Sequence, residues 1–504
     1  MATNLRPELG QSIIQYLDFD TLKTFSLVCK AWYLSAHPVL WKHFSCKAPT
    51  SSEEYTIWLD TIRRNASSFK HIYDIGYGER APEIGNLLLD RCHSLVTVEA
   101  VVVRMDAQNP CHHWEETLRP LIERNRVSLQ RLQFQVIDGP FMTTLQLPSL
   151  LASLPHLRSL DLDVSWMSVE ELLPVLDACP GSLEHLSLRP SLHRKSSNQE
   201  NISTTVTPLR LKRLHIQGAF RDRTLDDVLS CLAVHSLEEL YISSIYPLQI
   251  PSKLREAFWQ LTHLCLKTVR PSPIRYMPQI LDAIQPNHLR QADLNNLDTE
   301  SATKLIERQH RSLEFMNVDF LKGHAGSLAE ILATCHKLKV LVFTTVPFVD
   351  IQTLIGPWHP WVCVELEVFE GSFGLSRDSH ALHPSDSNGL NDAERSRQVE
   401  DQFMQRLGRL TKLRRLVQLS DSLDDMEIME WSLSSGLTHL EGFANLKTFL
   451  FAHQDLPKGI CIPEMIFIKR HWDSLQEIAC QRIRDNDLKE WLATEWPELT
   501  IKHM

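Results

Sequence analysis

One short pattern recurs along most of this chain and limits its fold more than any other feature. It is Leu-x-x-Leu-x-Leu, preceded each time by a stretch with helical patterning. Copies start at Ser94, Ser128, His156, Ser182, Leu211, Ser236, Leu261, His288, Ser312 and Lys337. Weaker ones start at Glu365, Lys412, Asn445 and Ser474. The starts lie roughly 24 to 34 residues apart, with one wider gap before Lys412. The fourth and sixth residues of the motif alternate with their neighbours. On a strand they therefore point to one face and the x residues to the other. The preceding helix supplies the opposite wall: Leu172, Leu173, Val175 and Leu176 come before Leu183, and Leu328, Ile331 and Leu332 before Leu338. Parallel strands stack about 4.8 Å apart but helices need about 8–10 Å. A continuous stack is therefore expected to curve, with strands inside and helices outside.

The period is that of leucine-rich repeats. The expected fold class is α/β, a leucine-rich-repeat solenoid over residues 91–504. Two polar stretches break its rhythm, residues 190–208 and 376–402. Both read as loops projecting from one rim. Each is open to two readings, a substrate lid or phosphorylation platform, or a tolerated surface insertion. Ahead of the array, residues 47–90 read as a linker with N-terminal capping helices. Ser45 to Glu54 is polar and turn-forming, and Tyr55 to Phe69 is helical in pattern, with Ile57, Trp58, Leu59 and Ile62 apolar.

Residues 1–46 are different in kind. Pro7 suits a first helical turn and Glu8 its positive end. Leu9, Ile13, Ile14 and Leu17 then share one helical face. Asp18 or Asp20 can cap a second helix carrying Leu22, Phe25, Leu27 and Val28. Ala31, Trp32 and Leu34 begin a third piece, with Pro38 at its last turn before Leu40 and Trp41. About forty residues bury little by themselves, so this stretch is either a helical cap or a docking module that needs a partner.

The stretch resembles the F-box. The resemblance rests on Leu5, Pro7-Glu8-Leu9, Ile13-Ile14, Leu17, Leu22, the Val28-Cys29-Lys30-x-Trp32 core and Leu40-Trp41. Arg6 stands where the family usually has proline. The resemblance implies a three-helix domain that docks to the Skp adaptor, and through it to a cullin–RING (SCF) ubiquitin ligase. It carries adaptor contacts or their supports onto Leu5, Pro7, Leu9, Ile13, Leu17, Leu22 and Val28. The helix-bearing units that follow are similar to those of F-box leucine-rich-repeat proteins. Such a protein would hold a target for ubiquitination without chemistry of its own. An interaction scaffold that binds the adaptor without a cullin is the competing reading.

Composition narrows the alternatives. Net charge is −10, with no bulk basicity to draw nucleic acid. No apolar run reaches bilayer length, and no basic start followed by an apolar core marks a signal peptide. The 11 cysteines show no pairing pattern, which fits a cytoplasmic or nuclear setting. The sequons at Asn65 and Asn201 are then read as chance. No phosphate loop, His-Glu-x-x-His pair or nucleophile elbow is present, so no enzyme class and no cofactor is expected. Cys111-His112-His113 and Cys92-His93 lack the spacing of a metal site, and Cys92, Cys179 and Cys335 recur at the end of repeat helices as packing residues would.

Recognition is expected on the outward strand positions. In the middle units these are basic and aromatic: His185, Arg189, Arg213, His215, Tyr241, His263 and Lys267, after an acidic rung at Asp161 and Asp163. Such a set suits an acidic or phosphorylated segment of an unidentified target protein. The plainer alternative is a strand face kept polar for solubility.

Overall fold

The computed structural model describes the chain except for residues 1–13, 15–16, 28–29, 48, 50, 76–80, 103–113, 137–145, 164–168, 190–208, 219–235, 244–257, 268–276, 321–324, 346–348, 357–359, 377–391, 420–425, 428, 452–459, 481, 484 and 504. The chain divides into two compact units, Met1–Leu237 and Glu238–Met504.

The first unit opens with helices α1 (Phe19–Ser26) and α2 (Lys30–Leu40). Asp18 caps α1, its carboxylate accepting from the Thr21 N–H at 2.8 Å. Ile14, Leu22 and Ala36 form a small core, with Leu17, Val39 and Leu40 packed against it. Most of the first of the three expected helices lies outside the described residues; Ile14 is helical.

Strand β1 (His43–Ser45) follows α2 after two residues, and β2 is His71–Ile75. They pair in parallel, and β2 pairs in parallel with β3 (Thr97–Val102). The ladder therefore begins at His43, ahead of residue 91 where the motif run starts. Residues 47–90, expected as linker and capping helices, contribute a strand of their own. The motif is disguised there: Phe69 and Ile72 take the places of its leucines, and Asp74 falls on the inward position. Asp74 adopts a left-handed φ of 57°, the register shifts, and Ile75 is buried in its place. Asp tolerates that conformation better than most residues.

Between β1 and β2 runs α3 (Ser52–Asn65), capped by Ser51 and burying Tyr55, Leu59 and Ile62. Phe44 of β1 stacks on Phe69 with ring centroids 4.5 Å apart. His37 Nε2 of α2 donates to Asn65 Oδ1 at 2.6 Å. The N-terminal helices are thus bonded into the first repeat. Asn65 is buried in that contact, which leaves its sequon covered.

The unit continues through α4 (Ala81–Arg91), β3, α5 (Arg119–Arg124), β4 (Arg131–Val136), α6 (Leu147–Ala152), β5 (Ser159–Asp163), α7 (Val169–Asp177), β6 (His185–Arg189) and β7 (Arg213–Gln217). From β3 to β7 each strand pairs in parallel with the next. Leu160 and Leu162, or Leu186 and Leu188, point inward and are buried, as the alternation requires. The serine that leads many motifs has a bonding role. Ser128 Oγ donates to the Leu95 carbonyl at 2.8 Å and Ser182 Oγ to that of Leu157 at 2.8 Å. Asn125 reaches across the same joint. It accepts from the Leu95 N–H at 2.8 Å and donates to the Cys92 and Leu121 carbonyls.

The second unit carries β8 (Glu239–Ser243), β9 (His263–Lys267), α8 (Met277–Ala283), β10 (Gln291–Leu297), α9 (Thr299–Gln309), β11 (Phe315–Phe320), α10 (Ala325–Thr334), β12 (Val340–Thr345), β13 (Val349–Asp350) and α11 (Ile351–Ile355). Then come β14 (Val368–Ser376), α12 (Asp392–Leu407), β15 (Arg415–Leu419), β16 (Met426–Glu427), β17 (Thr448–Phe451), α13 (Ile462–His471), β18 (Glu477–Cys480), α14 (Asn486–Glu495) and β19 (Thr500–His503). The main ladder is parallel from β8 to β19, with β13 added in parallel and β16 antiparallel, both on β14. Gln309 repeats the bonding of Asn125, accepting from His288 N and Leu289 N.

One expectation is corrected here. Residues 376–402 are not a loop throughout, because α12 begins at Asp392 and buries Phe403, Met404 and Leu407. Its apolar positions come late, behind a polar first half. Residues 377–391 of that stretch, and all of 190–208, lie outside the described residues.

The weaker motif copies have a packing reason. Phe343, Phe369, Phe373 and Phe403 fill the space that leucines fill elsewhere, with Trp361 against Phe369 and Phe403. Gly371 replaces the sixth-position leucine opposite Phe343, whose ring would lie 2.3 Å from an added Cβ. Gln418 holds the same place in β15, donating to the Phe373 carbonyl at 2.8 Å and accepting from Trp431 Nε1.

Candidate interaction surfaces

Two surfaces present side chains suited to binding proteins. The first is on the N-terminal helices. Leu27, Leu34 and Tyr33 are 84%, 61% and 45% exposed, and Ile57 on α3 is 69% exposed. Apolar side chains held this open on packed helices have a partner elsewhere or none. Of the expected adaptor residues, Leu22 is buried at 5% exposure, and Leu17 packs against the small core that it forms with Ile14 and Ala36. Leu5, Pro7, Leu9, Ile13 and Val28 lie outside the described residues. Leu27, expected among the apolar residues of the second helix, follows the last residue of α1 and faces out. Leu34 was legible in principle, being an apolar residue on the side of α2 away from Ala36, Val39 and Leu40, whereas Tyr33 shares a face with Ala36 and Leu40 by spacing.

The second surface is the open sheet face, away from the helices. In the first unit it holds His185 and Arg189 on β6 and Arg213 and His215 on β7. His185 is directly opposite Arg213, and Ser187 opposite His215. In the second unit it holds Tyr241 on β8 and His263 and Lys267 on β9, with Tyr241 opposite Cys265. Alternation thus puts every one of these residues on the outward side, within its own unit.

Their charge is not free in the way the sequence suggested. Arg189 pairs with Asp161 at 2.9 Å, and Lys267 with Asp293 at 2.8 Å. The hydrogen bond that it donates to Asp293 holds the Lys267 ammonium above its ordinary value. Asp293 also accepts from Asn317 Nδ2 at 3.0 Å and from the Cys265 thiol at 3.4 Å. Burial, with Asp293 beside it, pushes that thiol up to about 12. Further acids share the first unit's face. Glu99 lies in the row of Gln133 and Asp161, its carboxyl raised by burial and by nearby Asp74. The expected basic patch is a checkerboard, because strands 4.8 Å apart bring the acids of one repeat within reach of the bases of the next. The same exchange runs through Lys212–Glu184, Lys339–Glu314, Arg415–Glu370 and Lys502–Glu477. Exposed pairs of this sort contribute little stability singly.

The recurring cysteines are packing residues. Cys92 and Cys335 are fully buried and Cys179 nearly so. Burial pushes each of the three thiols up to about 12. Cys92 donates to the Ala66 carbonyl and Cys179 to that of Val175. Among the described residues no helix is long and apolar enough to cross a membrane.

Comparison with known proteins agrees with the N-terminal reading. Residues 5–47 match the F-box-like family. No curated protein matches the chain. Among solved structures, a leucine-rich-repeat-containing protein, LegL7 from Legionella pneumophila, is similar at 13% identity. That match covers 74% of this chain and 97% of that one, with a TM-score of 0.30. The TLR13–ssRNA13 complex is similar at 12% identity over 86% of this chain and 70% of that one, with a TM-score of 0.31. The repeat assignment stands on this chain's own ladder of strands, helices and buried motif leucines. The chain thus carries an F-box-like stretch at residues 5–47 and, beginning two residues after α2, a parallel ladder of leucine-rich-repeat units.

Proposed function

We propose that the chain is the substrate-recognition subunit of an SCF-type ubiquitin ligase. The observation that supports this most is the F-box-like match over residues 5–47, on helices that hold Leu27, Tyr33 and Leu34 open and are bonded into the repeat ladder. F-box domains generally bind the Skp adaptor, and leucine-rich repeats generally bind proteins. Both are typically non-catalytic modules. In this proposal Leu5, Pro7, Leu9, Ile13 and Val28 join the exposed set as adaptor contacts, with Leu17 and Leu22 beneath. The open sheet faces, with His185, Arg189, Arg213 and His215 in the first unit and Tyr241, His263 and Lys267 in the second, hold a target protein. The complex works in the cytoplasm, the nucleus or both.

The test is co-purification of Skp adaptor and cullin with the tagged chain. Leu27→Asp with Leu34→Asp places charge in an apolar interface, at a cost of several kcal/mol per site. Both residues are exposed, so the fold is expected to stay intact by circular dichroism. Loss of adaptor and cullin together is the expected result. Adaptor without cullin from the unaltered chain points to a scaffold, and capture of neither removes the proposal.

A further inference from the structure

The open face of the second unit changes character along the ladder. On β8 to β10 it is polar: Glu239, His263 and Gln291 in one row, Tyr241, Cys265 and Asp293 in the next. On the next strand the first row turns apolar. Phe315, Val340 and Val368 are direct partners across β11, β12 and β14. Val342 lies beside them in the second row, between Asn317 and Glu370. All four are partly exposed. Further along the second row the outward residues are apolar again, but there Val417, Leu450 and Ala479 are buried as one cluster. Leu419, beside that cluster, is partly open by itself, whereas Phe315, Val340, Val342 and Val368 adjoin one another as a partly open apolar strip.

The charges around this strip are already matched. Lys267 is paired with Asp293 and Arg415 with Glu370. A charged ligand would find no counter-ion here that is not already shared with a neighbour. An uncharged apolar side chain would need none and would cover the strip. Three strands span about 10 Å, and Val342 lies about 7 Å along from the first row, dimensions that suit one aromatic or two aliphatic side chains.

We infer that Phe315, Val340, Val342 and Val368 form the anchor site for an extended, uncharged target segment presenting an aromatic or large aliphatic side chain. This rests on the target-receptor function proposed above and changes its ligand class, from acidic or phosphorylated to apolar.

The probe is a short Ser/Thr-rich uncharged peptide with a central p-benzoylphenylalanine, photo-crosslinked to the full-length protein and mapped by mass spectrometry. Crosslinks are expected on β11, β12 and β14. An excess of the same peptide with central Phe should lower the yield at least about fivefold, and high salt should change it less than about twofold. A central phosphoserine should not compete. Val340→Asp with Val368→Asp should lower the yield at least about tenfold at an unchanged melting temperature. If that variant melts early, Val340→Thr with Val368→Thr is measured instead, with a loss of about threefold expected. Crosslinks scattered or centred elsewhere, competition by phosphoserine, or yields untouched by either variant each overturn the inference. Adaptor and cullin capture is scored separately. Crosslinks on the strip without cullin leave this site standing and remove the ligase; cullin with crosslinks elsewhere does the reverse.

Discussion

Replacing Asn125 with alanine removes a clamp between two repeats and nothing else of note. The side chain is 1% exposed and makes three hydrogen bonds: from Leu95 N at 2.8 Å, to Cys92 O at 3.2 Å and to Leu121 O at 2.8 Å. The Leu121 carbonyl keeps a second donor, the backbone N–H of Asn125. The Leu95 N–H has no such reserve and is enclosed in a fully buried residue. Leaving a buried donor unpaired costs about 1–3 kcal/mol, and the lost bonds to the carbonyls add about 1 kcal/mol. The sum is about 2–4 kcal/mol. At 1.4 kcal/mol per decade, even the lower figure is roughly a thirtyfold rise in local opening. A long repeat array need not unfold in one step, so a global melt is the wrong assay. Native-state hydrogen exchange read by mass spectrometry over residues 92–102 reports the joint directly. Asn125→Asp separates the roles, since it keeps the acceptor for Leu95 N but turns a carboxylate toward two carbonyls. It should lose at least as much protection as alanine. Protection within about twofold of the parent in both variants would refute the clamp.

Other outcomes follow from the same packing. Leu240→Ala or Leu264→Ala, each at 2% exposure, should cost about 2–5 kcal/mol and loosen the neighbouring strands, measured by urea unfolding with exchange readout. His71 is lowered to about 4, chiefly by burial and then by His43 and Lys42. The unfolded imidazole takes its proton near 6.5, so between those values the unfolded chain binds more protons. Stability of the first unit should be full above pH 6.5 and fall as pH drops toward 4, and His71→Gln should flatten that slope in thermal melts read by fluorescence.

The sequence carried the architecture because its signal is local. Alternation in SLDLD or HLSLR puts Leu160, Leu162, Leu186 and Leu188 inside whatever the neighbours are. The F-box pattern was equally local, and Asp18 capped its helix as one of two candidates. Elements whose apolar pattern is disguised escaped. Strand β2 hides behind Phe69, Ile72 and a left-handed Asp74, and α12 hides behind a polar first half.

The character of the open face was decided only by tertiary structure. Which residues point outward depends on the strand, but what they meet depends on the next repeat, some 25 residues away in sequence. Arg189 and Lys267 read as free cations until the ladder placed Asp161 and Asp293 beside them. Leu27 read as one more apolar residue of a helix until α1 ended one residue short of it and left it exposed. Val417 and Leu450, at outward positions, are buried all the same. Coulomb pairing and burial act across space, so their partners appear only once parallel stacking has set the register.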